Sequence, residues 1–238
     1  MDSDINFKPI ESRSVRLKVV DQIVQLVQEG KLKPGDQLPS ERTIAERMGI
    51  SRPTVREAVA ALEVVGLVET KIGQGTFIKS ADVESLETRI ENLFQTERSP
   101  FETLETRKIL ESHAAELAAQ KASLQQLEEI EAAFRELWDE ADQSQDWNEA
   151  ADRRFHIAIA EASGNSVICD VLHILLDIGQ KRVWAKLKEI GRLIPGSLDK
   201  DFLEHQAIFH AIRERDPDKA RNTVWNHFTS VEKDIFDL

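Results

Sequence analysis

Four side chains in the second half of the chain have types and spacing suited to metal chemistry. Asp152 and His156 stand at i and i+4, so on a helix they share one face, which Ile159 at i+7 carries inward. His205 falls on the apolar stripe Phe202, Ile208, Phe209 and Ile212, and His227 on the stripe Ala220, Val224 and Val231. A carboxylate and three imidazoles turned towards one core would be costly without partners, and a divalent cation bound by all four removes that cost. Taken singly each piece has a blander reading, because an Asp-x-x-x-His pair also suits a helix surface and an inward histidine can be satisfied by its neighbours. His113, His173 and His210 stay in that plainer class. At ~100° per residue, His210 lies about 140° off the stripe of His205.

A second group suits phosphate and base recognition. Arg52, Thr54 and Arg56 cluster near the start of a short helix, on the face its apolar positions Val55, Val59 and Leu62 leave exposed. A helix N-terminus presents unpaired amides and the positive end of the dipole, both of which favour a phosphate. Arginine there can also donate two hydrogen bonds to guanine in the major groove. Arg42, in the preceding helix, is placed to reach the phosphate backbone, and Gly73 and Gly75 would let a hairpin tip approach it closely.

The elements that must position these groups follow from capping and periodicity. Ser14 can cap a helix with apolar positions Val19, Ile23, Leu26 and Val27, ended by Gly30. Ser40 can cap a second helix stopped by Gly49. Ser51 can cap a third, with Pro53 tolerated in its first turn and Gly66 closing it. Leu67–Thr70 and Thr76–Ile78, around Lys71–Gly75, read as a hairpin. Three helices with a tight turn between the second and third, then a hairpin, describe a winged helix-turn-helix. From residue 81 the pattern is helical throughout: a linker helix over 81–95, a helix from about 101, one bearing Leu124, Leu127, Ile130, Phe134 and Leu137, and others over 146–162, 166–190, 199–214 and 216–236. The expected fold is mainly α, a winged helix-turn-helix (1–80), a linker (81–99) and an all-helical antiparallel bundle (100–238).

Composition agrees with this division. The net charge of −12 over 238 residues argues at first against nucleic acid, but residues 1–80 hold 12 basic and 11 acidic groups, leaving 19 and 32 for the remainder. A near-neutral head attached to an acidic body can still bind phosphates if its cations share a face. The single cysteine, Cys169, excludes an internal disulfide framework, and no apolar run approaches the ~20 residues of a membrane helix. The first residues lack the apolar core of a signal peptide, so a cytoplasmic location is expected.

The stretch PGDQLPSERTIAERMGISRPTVREAVAALEVVGLVETKIGQGTFI resembles the DNA-binding domain of the GntR family of bacterial transcriptional regulators. The resemblance spans about 65 residues and implies that Arg42, Ser51, Arg52, Thr54, Arg56 and Gly73 touch DNA. Residues 101–236, through ETRKILESHAAELAA, DRRFHIAIAEASGN, LEHQAIFHAI and ARNTVWNHF, resemble the effector-binding FCD domain of the FadR subfamily. That family's ligand pattern falls on Asp152, His156, His205 and His227, which implies a zinc, nickel or similar ion completed by a small carboxylate, with zinc the first expectation. Its R-x-x-x-E motif falls on Arg107 and Glu111. Arg107 would hold the carboxylate through a forked pair of hydrogen bonds, or else serve as an intrahelical partner of Glu111; sequence leaves the two level. Asn165, in the S-G-N turn, reads as structural.

The resulting expectation is a homodimeric, DNA-binding transcriptional regulator that reads a pseudo-palindromic double-stranded operator, its affinity set by a small carboxylate at the metal. An alternative makes the metal itself the signal, with no organic effector. An enzyme is not expected, since HExxH, GxSxG and Walker patterns are missing and Glu204, the one carboxylate adjacent to His205, is expected to point elsewhere.

Overall fold

The computed structural model describes residues 14–71, 73–81, 86–144, 148–178, 181–192 and 194–236. It divides into two compact units, 1–94 and 95–238.

In the first unit, α1 (Val15–Gln28), α2 (Glu41–Met48) and α3 (Arg52–Val64) each begin on a serine. The hydroxyls of Ser14, Ser40 and Ser51 accept from the amides of Leu17, Thr43 and Thr54, which satisfies one otherwise unpaired first-turn donor in each helix. Gly49, at φ +66°, ends α2 in the left-handed region where a side chain would be strained. Strands β1 (Val68–Lys71) and β2 (Gly75–Ile78) pair antiparallel in the register Val68↔Ile78 to Lys71↔Gly75. Gln37 adds a bridge to Phe77, so the chain before α2 lies against the hairpin. The core joins Val20 and Val24 of α1, Ile44 of α2, Val55, Val59 and Leu62 of α3, and Leu67 and Ile78 beside the hairpin. Helix α4 (Leu86–Thr96) buries Leu86, Ile90 and Leu93, and Phe94 lies 4.7 Å beneath the guanidinium of Arg16.

The second unit is a bundle of α5 (Pro100–Lys121), α6 (Leu124–Ser144), α7 (Glu149–Ala162), α8 (Ser166–Ile178), α9 (Arg182–Arg192), α10 (Ser197–Arg213) and α11 (Pro217–Phe236). Helix α5 packs against α7, α8, α10 and α11, and α6 against α7 and α10. Because α5 has neighbours on several sides, its buried positions are not one stripe: Leu104 and Arg107 are covered, and so are Glu111, Ala114, Ala115, Ala118 and Ala119. The alanines remove bulk where other helices approach. Phe134 stacks on Phe202 and Phe209, with ring centroids 5.3 and 5.5 Å apart, and ties α6 to α10.

Two expectations need correction. A single helix over 166–190 is instead two, α8 and α9, and the sequence places Gly179 between them. The strong apolar run through Ile174–Ile178 made the segment read as continuous. Leu124, assigned to the buried stripe of α6, is 77% exposed. It occupies the first helical position, where the end is fixed by a capping box instead: Ser123 Oγ accepts from the Gln126 amide and Gln126 Oε1 accepts from the Ser123 amide. Among the described residues no helix is long and apolar enough to cross a membrane.

Candidate DNA-binding face and metal centre

The expected DNA-contacting residues fall at the α2–α3 corner and the hairpin tip. Ser51 Oγ lies 2.7 Å from Thr54 Oγ1, so these two hydroxyls are organised together over the first turn of α3. Arg42 is 76% exposed, with only a long 3.8 Å contact to Glu46 on its own helix. Arg52 and Thr54 are half-buried. Gly73 is exposed at φ +68°. Gly75, at φ +114°, leaves room for Gln37, whose Nε2 donates to the Gln74 carbonyl.

Arg56 departs from the exposed face expected for it. It is 6% exposed, with Nε and Nη2 lying 2.6 and 2.5 Å from Glu41 Oε2 of α2. Helix α3 is covered by α1 on one side and α2 on another, so every residue from Val55 to Leu62 is buried, two charged ones included. The second, Glu57, meets Arg16 of α1 at 3.3 Å.

In the bundle, α7, α10 and α11 bring His156, His205 and His227 together, all three buried, with one ring nitrogen of each within 4.8 Å of the others. Asp152 joins them: its Oδ1 lies 3.1 Å from His205 Nε2 and 3.6 Å from His156 Nε2. The opposite edge of each ring is also occupied. His205 Nδ1 donates to the Asp201 carbonyl one turn back at 2.7 Å, and His227 Nδ1 to Glu204 Oε2 at 2.8 Å. His156 Nδ1 lies 2.5 Å from Glu111 Oε2, off the line of a good hydrogen bond. At His205 and His227 the acceptor at Nδ1 takes the proton of a neutral ring and leaves Nε2 for the centre, whereas His156, held between the carboxylates of Glu111 and Asp152, must give up a proton before it can ligate. The arrangement at His205 and His227 is the one by which outer acceptors orient histidine ligands.

The electrostatics follow from burial and proximity. Burial alone would raise the Glu111 carboxyl, but Arg107 and His156 outweigh it and hold it at about 2. Burial would lower His156, yet the carboxylates of Glu111 and Asp152 lift it to about 9. His227 is carried by burial down to about 4 against the opposing bond from Glu204. Asp152 is held well below the usual carboxylate range, since His156 and His205 overcome its burial.

Arg107 forms the intrahelical pair with Glu111 that one of its two readings expected. Its Nε donates to Glu111 Oε1 at 2.7 Å, and its guanidinium lies 5.1 Å over the Phe228 ring. Its two Nη groups have no hydrogen-bond partner among the described residues, and Arg107 lines a cavity of about 90 Å³ together with Asp152 and the three histidines. Lys188 and Arg192 of α9 line the same cavity and both engage Glu149 at the start of α7.

Sequence reasoning missed the outer acceptors. Glu204 is not aimed away from the centre: it is the partner of His227. A signal did exist, because Asp201 and Glu204 both lie within one turn of His205 and one face could not carry all three to the interior. Lys188 and Arg192, at i and i+4 on α9, were equally open to notice.

A winged helix-turn-helix joined to a helical bundle is the construction of a DNA-binding regulator. Comparison with known proteins supplies the family. Residues 16–78 match the family described as bacterial regulatory proteins, gntR family, and residues 102–230 match the FCD domain. The chain is 33% identical over 215 residues to the HTH-type transcriptional regulator LutR of Bacillus subtilis, covering 87% of this chain and 94% of that one. It is 33% identical over 216 residues to the Uxu operon regulator of Haemophilus influenzae (90% and 79%), and 34% over 221 to a putative L-lactate dehydrogenase operon regulatory protein of Escherichia coli (90% and 83%). Among solved structures, Streptococcus agalactiae GntR aligns with a TM-score of 0.50 at 25% identity over 92% of this chain and 99% of that one. The chain belongs to the GntR family of transcriptional regulators, with a C-terminal FCD domain; it is not an enzyme.

Proposed function

We propose that this regulator binds its operator as a homodimer, and that a small carboxylate held at a divalent metal in the bundle sets its affinity for DNA. Asp152, His156, His205 and His227 hold the ion, zinc being the first choice for this nitrogen-rich set. The observation that carries the reading is the meeting of three buried imidazoles, one ring nitrogen of each within 4.8 Å of the others, with Asp152 Oδ1 3.1 Å from His205 Nε2. A divalent ion there supplies a net positive charge that one carboxylate compensates only in part, and so favours an anionic oxygen ligand. Arg107 presents its unengaged Nη groups to the same cavity and fixes the acid's other oxygen, while Glu111 holds the guanidinium in place. One relative is named for an L-lactate dehydrogenase operon, which directs the search first to small hydroxy acids.

On the DNA side, Arg42, Arg52, Ser51, Thr54 and the Gly73 tip contact the duplex, with phosphates dominating affinity and the start of α3 reading bases. Arg56 contributes by holding α2 and α3 together. The heads of a two-fold dimer require matching half-sites, hence a pseudo-palindrome. Helix α4, at the junction of the two units, is the covalent route by which the cavity acts on the head. A ~100-fold change in operator affinity needs roughly 2.7 kcal/mol of coupling, within the ordinary range.

The test is fluorescence anisotropy on an operator selected from random DNA, with lactate, pyruvate, glycolate and sugar acids titrated into zinc-loaded and chelator-stripped protein. At least one acid should shift affinity when zinc is present, and the shift should vanish in His205→Ala, which still binds DNA. No response to any acid in the zinc-loaded protein would overturn the proposal.

A further inference from the structure

Away from the buried centre, three ligating side chains meet on the bundle surface. Glu161 lies in the last turn of α7, and Cys169 and His173 stand at i and i+4 on α8. One ligand atom of each, carboxylate oxygen, sulfur and ring nitrogen, lies within 4.8 Å of the others. Glu161 is exposed and the other two are half-buried, and Glu161 and Cys169 line a surface cleft with Gly164, Asn165 and Asp170. Among the described residues, no hydrogen bond or salt bridge engages the thiol, the imidazole or the Glu161 carboxylate, and Cys169 packs beside the buried Ala114, Ala160 and Leu172.

We infer that Glu161, Cys169 and His173 form a second metal site of the zinc type, distinct from the buried centre and independent of its proposed role. The chemistry of the set is specific: a thiolate with an imidazole and a carboxylate suits a borderline-soft divalent ion and discriminates against magnesium and calcium. The site is largely preorganised. Ser163 Oγ donates to the Ala160 carbonyl and accepts from the Asn165 amide, Gly164 turns the chain at φ +65°, and Asn165 Oδ1 accepts from the Ile168 amide at the start of α8. That turn fixes the end of α7 against the first turns of α8. Bonds of ~2.0–2.3 Å would bring the ligand atoms to roughly 3.3–3.8 Å from one another, a contraction of at most about 1–1.5 Å that rotation of the Glu161 and His173 side chains can supply. Binding exchanges the thiol proton for the metal and clamps α7 to α8, with water or a further ligand in the fourth position.

The experiment is a cobalt titration of the full chain, chelator-stripped and kept reduced. A sulfur ligand produces thiolate-to-cobalt charge-transfer absorption in the near ultraviolet, which the nitrogen and oxygen donors of the buried centre do not. The band should account for one ion per chain beyond any taken up by the buried centre, which in His205→Ala leaves saturation near one equivalent, and it should be bleached by zinc. It should be absent in Cys169→Ser and persist in His205→Ala. In His173→Gln and Glu161→Gln it should require more than ~10-fold higher cobalt, since loss of a direct ligand exceeds the effect of an outer partner. No band in the wild type at saturating cobalt, or an unchanged titration in the His173→Gln/Glu161→Gln double variant, would overturn the assignment. Thermal melts of each variant establish that it is folded.

Discussion

Replacing Glu204 by glutamine tests whether the outer acceptors orient the buried imidazoles. The carboxylate accepts from His227 Nδ1 at 2.8 Å and thereby keeps that proton away from Nε2. Glutamine is nearly the same size but carries no charge. If its carbonyl faces the ring, the tautomer survives and only the charge-assisted part of the bond is lost. If its NH2 group faces the ring, Nδ1 must become the acceptor and the proton moves to Nε2, where it blocks metal ligation. Loss of such an outer partner weakens metal binding by about 10–100-fold, or roughly 1.4–2.8 kcal/mol at 1.4 kcal/mol per tenfold. Glu204 is partly exposed, so water can replace part of the bond and the expected loss is near 10-fold. The assay is competition for zinc against a chromophoric chelator, run on wild type, Glu204→Gln, His227→Ala and the double variant. Because Glu204 acts through His227, the two changes should not add: once the imidazole is gone, removing the carboxylate should matter little. Wild-type zinc affinity in both Glu204→Gln and His227→Ala would refute the ligand assignment. Full additivity would show that Glu204 acts by some other route.

Two further predictions concern stability and the DNA-binding face. Glu97, 6% exposed, accepts from the amides of Arg182 and Val183 at 3.1 and 2.9 Å and so caps α9 from a distant point in sequence. Glu97→Ala should destabilise the bundle by about 1–3 kcal/mol in urea unfolding, and an unchanged midpoint would show the cap to be inconsequential. In the head, Arg52→Ala should weaken operator binding while its thermal melt stays put, whereas Arg56→Ala should lower the melt because Glu41 then loses its buried partner. A normal melt for Arg56→Ala, with DNA affinity reduced as in Arg52→Ala, would return Arg56 to the contact surface.

How much of this was legible in the sequence depended on the distance over which each feature is determined. Ser14, Ser40, Ser51 and Ser99 were readable or open to reading as caps because a serine and the amide three residues on belong to one turn. Asp152 and His156 could be put on one face, and His205 and His227 on inward stripes, because helical periodicity alone decides it. Arg56 could not be placed, since its burial comes from α2 crossing α3 with Glu41 at the right height. Glu97 was equally hidden, its two amide partners lying 85 and 86 residues away. The split between α8 and α9 belongs to a different class: Gly179 was visible, and the weight of apolar residues before it carried the reading through.

The same distinction explains what structure adds to the metal centre. Helical faces bring four donors to one region, but a histidine directed inward can equally point a proton or a lone pair at its neighbours. Which of the two it points is set by the atom behind the ring. His205 takes that atom from its own helix, four residues back, a relation periodicity could have exposed. His227 takes it from α10 and His156 faces Glu111 of α5, so their orientation depends on the register of two helix pairs, α10 with α11 and α5 with α7. Glu111 is shared further, since its other oxygen accepts from Arg107. The side chain proposed to hold the acid and one proposed to hold the ion therefore lean on a single carboxylate, and a change in either must be felt by the other through it.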